Sequence, residues 1–361
     1  MDNELTIFLV CALFFIGIGG FSILLNSILL KFSRTLGIRE KGDVIRWANT
    51  SKPALGGITF YIVFLFSFVF HGLVFSNGDI LHNSVALGLL GSGSLAFIMG
   101  LADDAYNTRP ILKFTVQVLC GVLMISTGTC ISVFELPFLN QLLTILWVVG
   151  IMNSINMLDN MDGISSVTTF FIFLIACIYL GLHRNFSMPE FIILLGMMAS
   201  LLAFLFFNWS PSRMYMGDTG SQFLGVILAY IGIKLFWNAS LMSGFSSAGL
   251  QVSTLVVAFL LPLVDTTIVS VLRIMRKQSP FIGGRDHTSH NLVYLGMSDS
   301  QVAMSFVWVS LINALICYFI FRFVDTWTTG LTIFCVVYSL TIFVSLFFLC
   351  FKQREHYTTK S

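Results

Sequence analysis

Long apolar runs separated by short polar segments make up most of this chain. Eleven of these runs approach or exceed the length of a transmembrane helix, which needs about 20 residues. They cover residues 5–30, 54–75, 85–102, 112–131, 136–153, 164–182, 191–208, 219–237, 250–272, 301–321 and 330–351. This pattern predicts an all-α integral membrane protein, a polytopic bundle of about eleven transmembrane helices that forms one domain over residues 1–361.

Composition and charge exclude a soluble class and predict an orientation. Hydrophobic residues make up 57% of the chain and charged residues 10%, whereas soluble domains carry about 25% charged residues. All lysines and arginines except Arg184, Lys234 and Arg322 follow odd-numbered runs. By the positive-inside rule that face is cytoplasmic, so the N-terminus is predicted outside and the C-terminus in the cytoplasm.

Four groups of aspartates fall on the predicted cytoplasmic side, at or near the ends of apolar runs. A carboxylate beside hydrocarbon must find a cation, a hydrogen-bond donor or water. The groups are Asp103-Asp104, Asp159 with Asp162, Asp218, and Asp265. We therefore predict that they meet at one site, covered by polar loops at residues 31–53, 102–111, 153–163, 209–218 and 273–300.

The segment 153–163 carries the densest polar pattern. Asn153, Asn156, Asp159 and Asp162 are spaced by three, so they share one face if the segment is helical, and Gly163 then allows a turn into the next run. A helix cap followed by a turn is the competing interpretation. Four amide or carboxylate groups on one stripe favour the wall of a binding pocket.

The other acidic positions have both a structural and a chemical interpretation. Adjacent Asp103 and Asp104 repel each other unless a divalent metal or Lys113 neutralises them, and a solvated helix cap is the alternative. Asp218, at the start of a run, suits an oxygen ligand for Mg²⁺. Capping of that helix by Asp218 or Thr219 is the alternative here.

The loop after the ninth run combines arginines, glycines and histidines, among them Arg285, His287 and His290. Arginine forks bind phosphate well, and imidazoles can donate to a diphosphate. A polybasic loop on anionic lipid headgroups is the blander alternative. Carboxylates with a divalent metal and arginines are together the parts of a phosphoryl-transfer site.

Taken in chain order, these motifs resemble those of the polyprenyl-phosphate N-acetylhexosamine-1-phosphate transferases of glycosyltransferase family 4. The resemblance is strongest to the branch with undecaprenyl-phosphate GlcNAc-1-phosphate transferases. The matching segments are Lys52-Pro53 with Leu55-Gly56-Gly57, Asp103-Asp104, the Asn-x-x-Asn-x-x-Asp-x-x-Asp-Gly of 153–163, Met216-Gly217-Asp218-x-Gly-Ser, Asp265, and Asp286-His287-x-x-His290.

The resemblance implies an Mg²⁺-dependent enzyme, with Mn²⁺ as an alternative metal. In the implied reaction undecaprenyl phosphate attacks the β-phosphorus of a UDP-N-acetylhexosamine and UMP is released. Asp103, Asp104 and Asp218 are implied to be catalytic, with Asp218 and Asp104 as metal ligands. The residues implied to bind substrate are Lys52, Asn156, Asp159, Asp162, Tyr215, Arg285, His287 and His290.

Two positions depart from the family pattern. Asn160 follows Asp159 where the family usually has glycine, and Ser289 stands where the family has the middle histidine of His-x-His-His. The missing histidine favours the branch that starts O-antigen, teichoic acid or related glycans. The phospho-N-acetylmuramoyl-pentapeptide transferase of peptidoglycan synthesis is the alternative. A histidine restored at 289 is expected to be tolerated.

An ion-coupled transporter is the alternative from another class. A transporter is expected to hold its carboxylates near the midplane in two related halves, and the sequence contains no internal repeat. The resemblance instead implies a multi-pass protein of the bacterial inner membrane with its site on the cytoplasmic face. The predicted partners are the bilayer, undecaprenyl phosphate and a UDP-N-acetylhexosamine, without nucleic acid; a homodimer stays open.

Overall fold

A computed structural model describes residues 4–35, 52–76, 79–279, 284 and 286–358, and most of them are helical. The α-helices in this part of the chain are α1 (Glu4–Thr35), α2 (Gly56–Val74), α3 (Ser84–Tyr106), α4 (Pro110–Ser126), α5 (Pro137–Leu158), α6 (Ile164–Leu182), α7 (Pro189–Asn208), α8 (Gly217–Ile231), α9 (Ala248–Ala258), α10 (Leu260–Met275), α11 (Thr288–Tyr294), α12 (Asp299–Phe323) and α13 (Thr329–Thr358). A 3₁₀ turn covers Asp79–His82, and α8 continues as a π-helical segment over Gly232–Trp237. The predicted all-α architecture is confirmed.

Each of the eleven predicted runs coincides with a helix or with a bent pair of helices. Within the described residues, nine helices are long and apolar enough to cross a membrane, and the bent pair α9–α10 makes ten. The remaining run is α4, which has 17 residues and is about 26 Å long at 1.5 Å per residue. The chain is therefore a polytopic membrane protein, although α4 is shorter than a typical span.

The predicted run 250–272 is broken rather than straight. Its two helices, α9 and α10, meet at Phe259 with a bend of 78°. Pro262 lies four residues after Ala258, where α9 ends. Because proline has no N–H and its ring clashes with the carbonyl four residues earlier, a continuous helix is disfavoured at this point. Asp265 therefore lies on α10, whose axis is turned by 78° from that of α9.

The helix α8 lies at the centre of the bundle. Every residue from Thr219 to Ile231 is buried, and α8 packs against α2, α3 and α5. By contrast, only 22% of the apolar window of α1 and 17% of that of α13 are buried, as expected of helices in contact with lipid. The start of α8, which carries Asp218, is thus surrounded by the ends of several other helices.

Candidate active site

An aspartate from another helix caps the start of α8. Asp104, in the last turn of α3, accepts hydrogen bonds from the backbone N–H groups of Asp218 (3.0 Å) and Thr219 (2.9 Å) and from the Thr219 hydroxyl (2.6 Å). Gly217 precedes Asp218 with a positive φ of 72°, and a Cβ there would lie 2.5 Å from the Asp104 carboxylate. Glycine is therefore required where α3 meets α8.

This arrangement differs from the capping alternatives that the sequence suggested. Neither Asp218 nor Thr219 caps its own helix; both donate to Asp104 through their backbone N–H groups. The side chain of Asp218 is thereby left to point at other groups. Both oxygens of Asp104 already accept hydrogen bonds from the start of α8. The role of Asp104 as a metal ligand stays a prediction.

Lys113, in the first turn of α4, joins two of the predicted carboxylates. Its ammonium nitrogen lies 2.8 Å from Asp103 and 2.6 Å from Asp218. Asp103 also accepts hydrogen bonds from the backbone N–H and the hydroxyl of Thr108, and these fix its carboxylate at the end of α3. Of the two neutralising cations that the sequence left open, Lys113 occupies the position in this structure.

Asn156 approaches Asp218 from the opposite side. Its amide nitrogen donates to the second oxygen of Asp218 (2.7 Å) and to the Ser221 hydroxyl (2.9 Å). The Asp218 carboxylate is thus held between α4 and α5, with one oxygen on Lys113 and the other on Asn156. The structure brings together Asp103, Asp104, Asp218 and Asn156, as the sequence predicted.

The stripe predicted over residues 153–162 exists only in part. The helix α5 ends at Leu158, so Asn153 and Asn156 lie on it while Asp159 and Asp162 lie in the following turn. Gly163 closes this turn with a φ of 79° and donates its N–H to Asn208. The helical spacing therefore misplaced the two aspartates, because the helix ends before reaching them.

Asp159 lies at the end of α5 in a strongly acidic environment. Desolvation raises the pKa of its carboxyl group, and the charges of Asp218, Asp104 and Asp162 raise it further, to about 8. A carboxyl group with this pKa is protonated at neutral pH and can donate a hydrogen bond. A cation placed near these carboxylates would favour its ionisation.

A second cluster lies around Asp162. This carboxylate accepts hydrogen bonds from the backbone N–H (2.9 Å) and the hydroxyl (2.7 Å) of Ser212. Lys52 donates to the same hydroxyl, lies 3.8 Å from Asp162, and sits over the Tyr215 ring at 5.1 Å. The segment 53–57 holds this cluster through backbone bonds between Pro53, Leu55 and Tyr215.

The Lys52 and Tyr215 pair suits a planar ligand. An aromatic face beside a cation and a carboxylate can stack on a base and read its polar edge. Ser212 was not predicted, because a lone serine in a loop gives no signal of binding. Its position follows from the fold, which brings the loop after α7 beside the turn after α5.

A third cluster holds the histidine loop. Asp265 of α10 is buried and accepts from His287 Nδ1 (2.9 Å) and from the backbone N–H (2.8 Å) and hydroxyl (2.6 Å) of Thr288. Since Asp265 fixes Nδ1, the second ring nitrogen of His287 is the one available to a ligand. The His290 ring lies 6.4 Å from that of His287. Asp265 therefore orients the loop and caps α11.

An arginine near the histidine loop, Arg273, forms an ion pair with the carboxylate of Asp286. Arg273 is buried and donates to both oxygens of Asp286, at 2.9 and 2.6 Å. Burial opposes ionisation of Asp286, but hydrogen bonds and charge from Arg273 prevail and lower its pKa. The predicted ligand Arg285 lies outside the described residues, as does most of the predicted loop 31–53.

The two positions that depart from the family pattern contact each other. The hydroxyl of Ser289 donates to the Asn160 side-chain oxygen at 2.5 Å, and Ser289 is fully buried. This bond ties the histidine loop to the turn after α5. A larger side chain at 289 would have to displace Asn160, so we expect a single histidine substitution there to be tolerated less well than the sequence suggested, and its tolerance stays a prediction.

The segment 156–162 therefore connects all three clusters. Asn156 bonds Asp218, Asn160 bonds Ser289, and Asp162 bonds Ser212. Cations, carboxylates, imidazoles and an aromatic ring surround one end of the bundle. This combination can bind a diphosphate, a planar base and a divalent cation.

The donor set fits Mg²⁺ in part. Asp103 and Asp218 place carboxylate oxygens on both sides of the Lys113 ammonium, and hard oxygen ligands are those that Mg²⁺ prefers. No three His, Cys, Asp or Glu side chains in the described residues are grouped so as to hold a metal ion. A bound Mg²⁺ would complete its coordination with phosphate oxygens and water, as it usually does in proteins.

Comparison with known proteins gives a family match to the central part of the chain. Residues 86–236 match the model described as glycosyl transferase family 4. This region runs from α3 through α8 and includes Asp103, Asp104, Asn156, Asp159 and Asp218.

Named relatives cover different lengths of the chain. A Bacillus subtilis protein named "Probable undecaprenyl-phosphate N-acetylglucosaminyl 1-phosphate transferase" is 28% identical over 56% of this chain and 57% of its own length. A Streptococcus uberis phospho-N-acetylmuramoyl-pentapeptide-transferase is 32% identical over 52% of this chain and 61% of its own. A Mycobacterium leprae decaprenyl-phosphate N-acetylglucosaminephosphotransferase is 27% identical over 73% and 72%, respectively. The chain thus matches less than two thirds of the first two relatives.

Proposed function

We propose that this chain transfers N-acetylhexosamine-1-phosphate from a UDP-sugar to undecaprenyl phosphate, releasing UMP, because residues 86–236 match glycosyl transferase family 4 and the relatives include proteins named as transferases of this type. The proposed sugar is N-acetylglucosamine, and the product starts a cell-surface glycan. The observation that carries this proposal is the cluster of Lys113 with Asp103 and Asp218 at the start of α8. A cation beside carboxylates at a helix N-terminus suits a diphosphate and a divalent metal.

The proposed reaction displaces UMP at the β-phosphorus of the donor. An oxygen of the lipid phosphate attacks this phosphorus, the bond to the UMP oxygen breaks, and UMP leaves with the electron pair. Asp103 accepts the proton of the lipid phosphate when that phosphate carries one. Lys113 neutralises charge on the phosphoryl oxygens, for which it must leave at least one carboxylate.

The metal proposed is Mg²⁺ or Mn²⁺, held by Asp218, with Asp104 as a further ligand or as the support of the Asp218 backbone. When bound, the metal neutralises the diphosphate and makes UMP a better leaving group. Asn156 keeps the Asp218 carboxylate oriented toward the proposed metal position through its 2.7 Å hydrogen bond.

The two outer clusters supply binding of the donor. Tyr215 and Lys52 are proposed to bind the uracil, with Asp162 oriented by Ser212. His287 and His290, with Asp159 on the facing turn, are proposed to contact the diphosphate or the sugar. The multi-pass fold supports a site at the surface of a bilayer, where a polyprenyl phosphate presents its head group. The bacterial inner membrane and its cytoplasmic face are proposed on the distribution of Lys and Arg.

A panel of UDP-sugars tests the proposed function. Purified protein is incubated with undecaprenyl phosphate and each UDP-sugar, with and without Mg²⁺, and UMP release is measured. We expect release with UDP-N-acetylglucosamine, dependent on metal and on the lipid. Absence of UMP with every donor contradicts the proposal.

The second candidate uses a UDP-muramoyl-pentapeptide, and the Streptococcus uberis relative favours it. Its large peptide-bearing donor would need to be accepted by the loop of His287 and Ser289. Turnover with this donor alone replaces our assignment of the sugar, while the phosphoryl-transfer chemistry is retained.

Asp218→Asn tests the metal assignment. The amide keeps the size of the side chain but loses the negative charge, so we expect UMP release to fall by at least about 100-fold. The amide has one acceptor oxygen, so either Lys113 or Asn156 loses its acceptor at this side chain; Lys113 keeps Asp103, and we expect a moderate fall of the thermal unfolding midpoint in detergent. Turnover at the wild-type level by this variant contradicts the assignment of Asp218.

A further inference from the structure

Three carboxamides, two of them buried and one half-buried, lie one helical turn beneath the active site. Gln117 follows Lys113 by four residues on α4, Gln222 follows Asp218 by four on α8, and Asn153 precedes Asn156 by three on α5. Residues three or four apart share a helix face. The three helices α4, α5 and α8 therefore each carry one carboxamide at the next level inside the bundle.

These carboxamides are hydrogen-bonded to one another. The Gln117 amide nitrogen donates to Gln222 (3.0 Å) and to Asn153 (3.2 Å), and Asn153 donates back to Gln117 (2.8 Å). Gln117 and Gln222 are fully buried. Within the described part of the chain, the amide nitrogen of Gln222 has no acceptor. Burying a polar group without a hydrogen-bond partner costs free energy, and an apolar side chain of the same size does not carry this cost.

We propose that Gln117, Asn153 and Gln222 form a positioning layer, which fixes the axial register of α4, α5 and α8. In this role the layer keeps Lys113, Asn156 and Asp218 aligned while Lys113 exchanges a carboxylate partner for substrate phosphate. The inference rests on the proposed function for the exchange, but the layer itself follows from the contacts.

The chemistry of the two levels explains this division of roles. Lysine is a flexible four-carbon chain that can follow its partner as the helices shift, so the Lys113 bridge does not fix their register. A carboxamide is shorter, and a slip of one residue moves it by about 1.5 Å along the axis and turns it by about 100°. Such a slip breaks the Gln117 bonds. Because carboxamides are neutral, the layer also persists when charges above it change.

Isosteric apolar variants test the layer. We expect Gln117→Met and Gln222→Met to lower kcat for UMP release by about 10- to 100-fold, because small misplacements of reacting groups have effects of this size. The KM for the UDP-sugar should stay within about two-fold. Gln251→Met is the matched control: Gln251 lies on α9, outside the three helices, is also buried, and donates to Ser246 in the preceding loop. It should lose a comparable amount of thermal stability and keep its kcat.

A triple variant separates positioning from packing. Single substitutions leave a buried partner unpaired, whereas Gln117→Met, Asn153→Leu and Gln222→Met together remove all three groups. We expect the thermal midpoint to recover toward wild type while kcat stays low. Recovery of both quantities together, or a wild-type kcat in Gln117→Met, overturns the proposal.

A measurement without substrate keeps this test independent of the proposed function. Spin labels at Leu112→Cys on α4 and Leu146→Cys on α5 report the separation of two exposed positions. We expect electron–electron resonance to show a broader distance distribution in Gln117→Met than in Gln251→Met. Equal distributions overturn the layer. Loss of UMP release in the wild-type protein instead rejects the proposed function and leaves this comparison valid.

Discussion

At the scale of single residues, a few carboxylates of the site each accept hydrogen bonds from several partners. Asp218 has one oxygen on Lys113 and the other on Asn156, and Asp162 holds Ser212 through two bonds. Each of these carboxylates joins two distant segments of chain. Loss of one therefore leaves partners from two helices or loops unpaired, which costs more than the net value of a single hydrogen bond.

The contact between Ser289 and Asn160 leads to a double-mutant prediction. Ser289→His alone should reduce activity and stability, because the larger ring meets Asn160 in a buried space. Asn160→Gly removes the obstructing side chain, so the double variant should recover a large part of both. UMP release and thermal midpoints of the four proteins give the coupling.

Ser289→Ala is the control for loss of the hydrogen bond without added volume. We expect it to cost about 1 kcal/mol of unfolding free energy, since one hydrogen bond is lost. Additive effects of Ser289→His and Asn160→Gly would mean that the two side chains do not compete for space.

The raised pKa of Asp159 predicts that the stability of the protein depends on pH. Its folded pKa is raised to about 8 from the ordinary 3.8, so the folded state binds this proton more tightly than the unfolded state. Its contribution to stability is complete below the unfolded pKa and is lost as pH rises through about 8. Asp159→Asn mimics the neutral form and should reduce the fall in thermal midpoint between about pH 6 and pH 9.

The measurement is thermal unfolding of both proteins in detergent across this range, without added divalent metal. A metal bound near Asp218 stabilises the ionised carboxyl group and would obscure the effect. An equal pH dependence in wild type and Asp159→Asn would mean that Asp159 is ionised throughout.

At the scale of helices, the site is built from helix ends rather than from helix faces. The C-terminal turns of α3 and α5 meet the N-terminal turns of α4 and α8, as the contacts of Asp104, Asn156 and Lys113 with α8 require. Helix ends have backbone groups without partners inside the helix. Asp104 and Asp265 satisfy such groups on α8 and α11 from neighbouring helices.

Asp104→Ala tests whether a cap from another helix positions Asp218. Loss of a capping side chain costs about 0.5–2 kcal/mol, and we expect a loss in this range together with a fall in kcat. Asn83→Ala is the matched control, because Asn83 caps α3 by accepting from Ala86 at the other end of that helix. It should lose similar stability and retain kcat. Equal activity of the two variants would limit Asp104 to a structural role.

At the scale of the whole molecule, the apolar runs and the meeting of acidic groups were predictable from sequence. An apolar run of membrane length is expected to form a helix, because its backbone N–H and C=O groups find no water in lipid and must hydrogen-bond within the segment. Carboxylates at the ends of apolar runs likewise need partners, so Asp103 and Asp218 were expected to converge. Pro262 was a signal for the break between α9 and α10, although hydrophobicity alone gave a continuous run.

The specific pairings were not predictable from one sequence. Helical spacing identifies which side chains share a face, but it does not say which helix lies opposite. For this reason neither the Asp104 cap on α8 nor the carboxamide pairing of Gln117 with Gln222 was expected. The end of α5 at Leu158 was also missed, because the spacing of polar residues continued beyond the helix.

The orientation of the bundle remains a prediction, and its test follows from the arrangement of helix ends. Two single-cysteine variants, Asn107→Cys and Ser243→Cys, probe the two sides. Asn107 directly follows α3 and the Asp103 cluster, whereas Ser243 lies in the loop between α8 and α9, beyond the opposite end of α8. Both positions are exposed, whereas the native cysteines are buried or half-buried. The excess of Lys and Arg predicts that the Asn107 end lies in the cytoplasm. A membrane-impermeant maleimide should therefore label Ser243→Cys in intact spheroplasts and Asn107→Cys only in inverted vesicles. The reverse pattern would put the carboxylate cluster outside, where a cytoplasmic UDP-sugar cannot reach it.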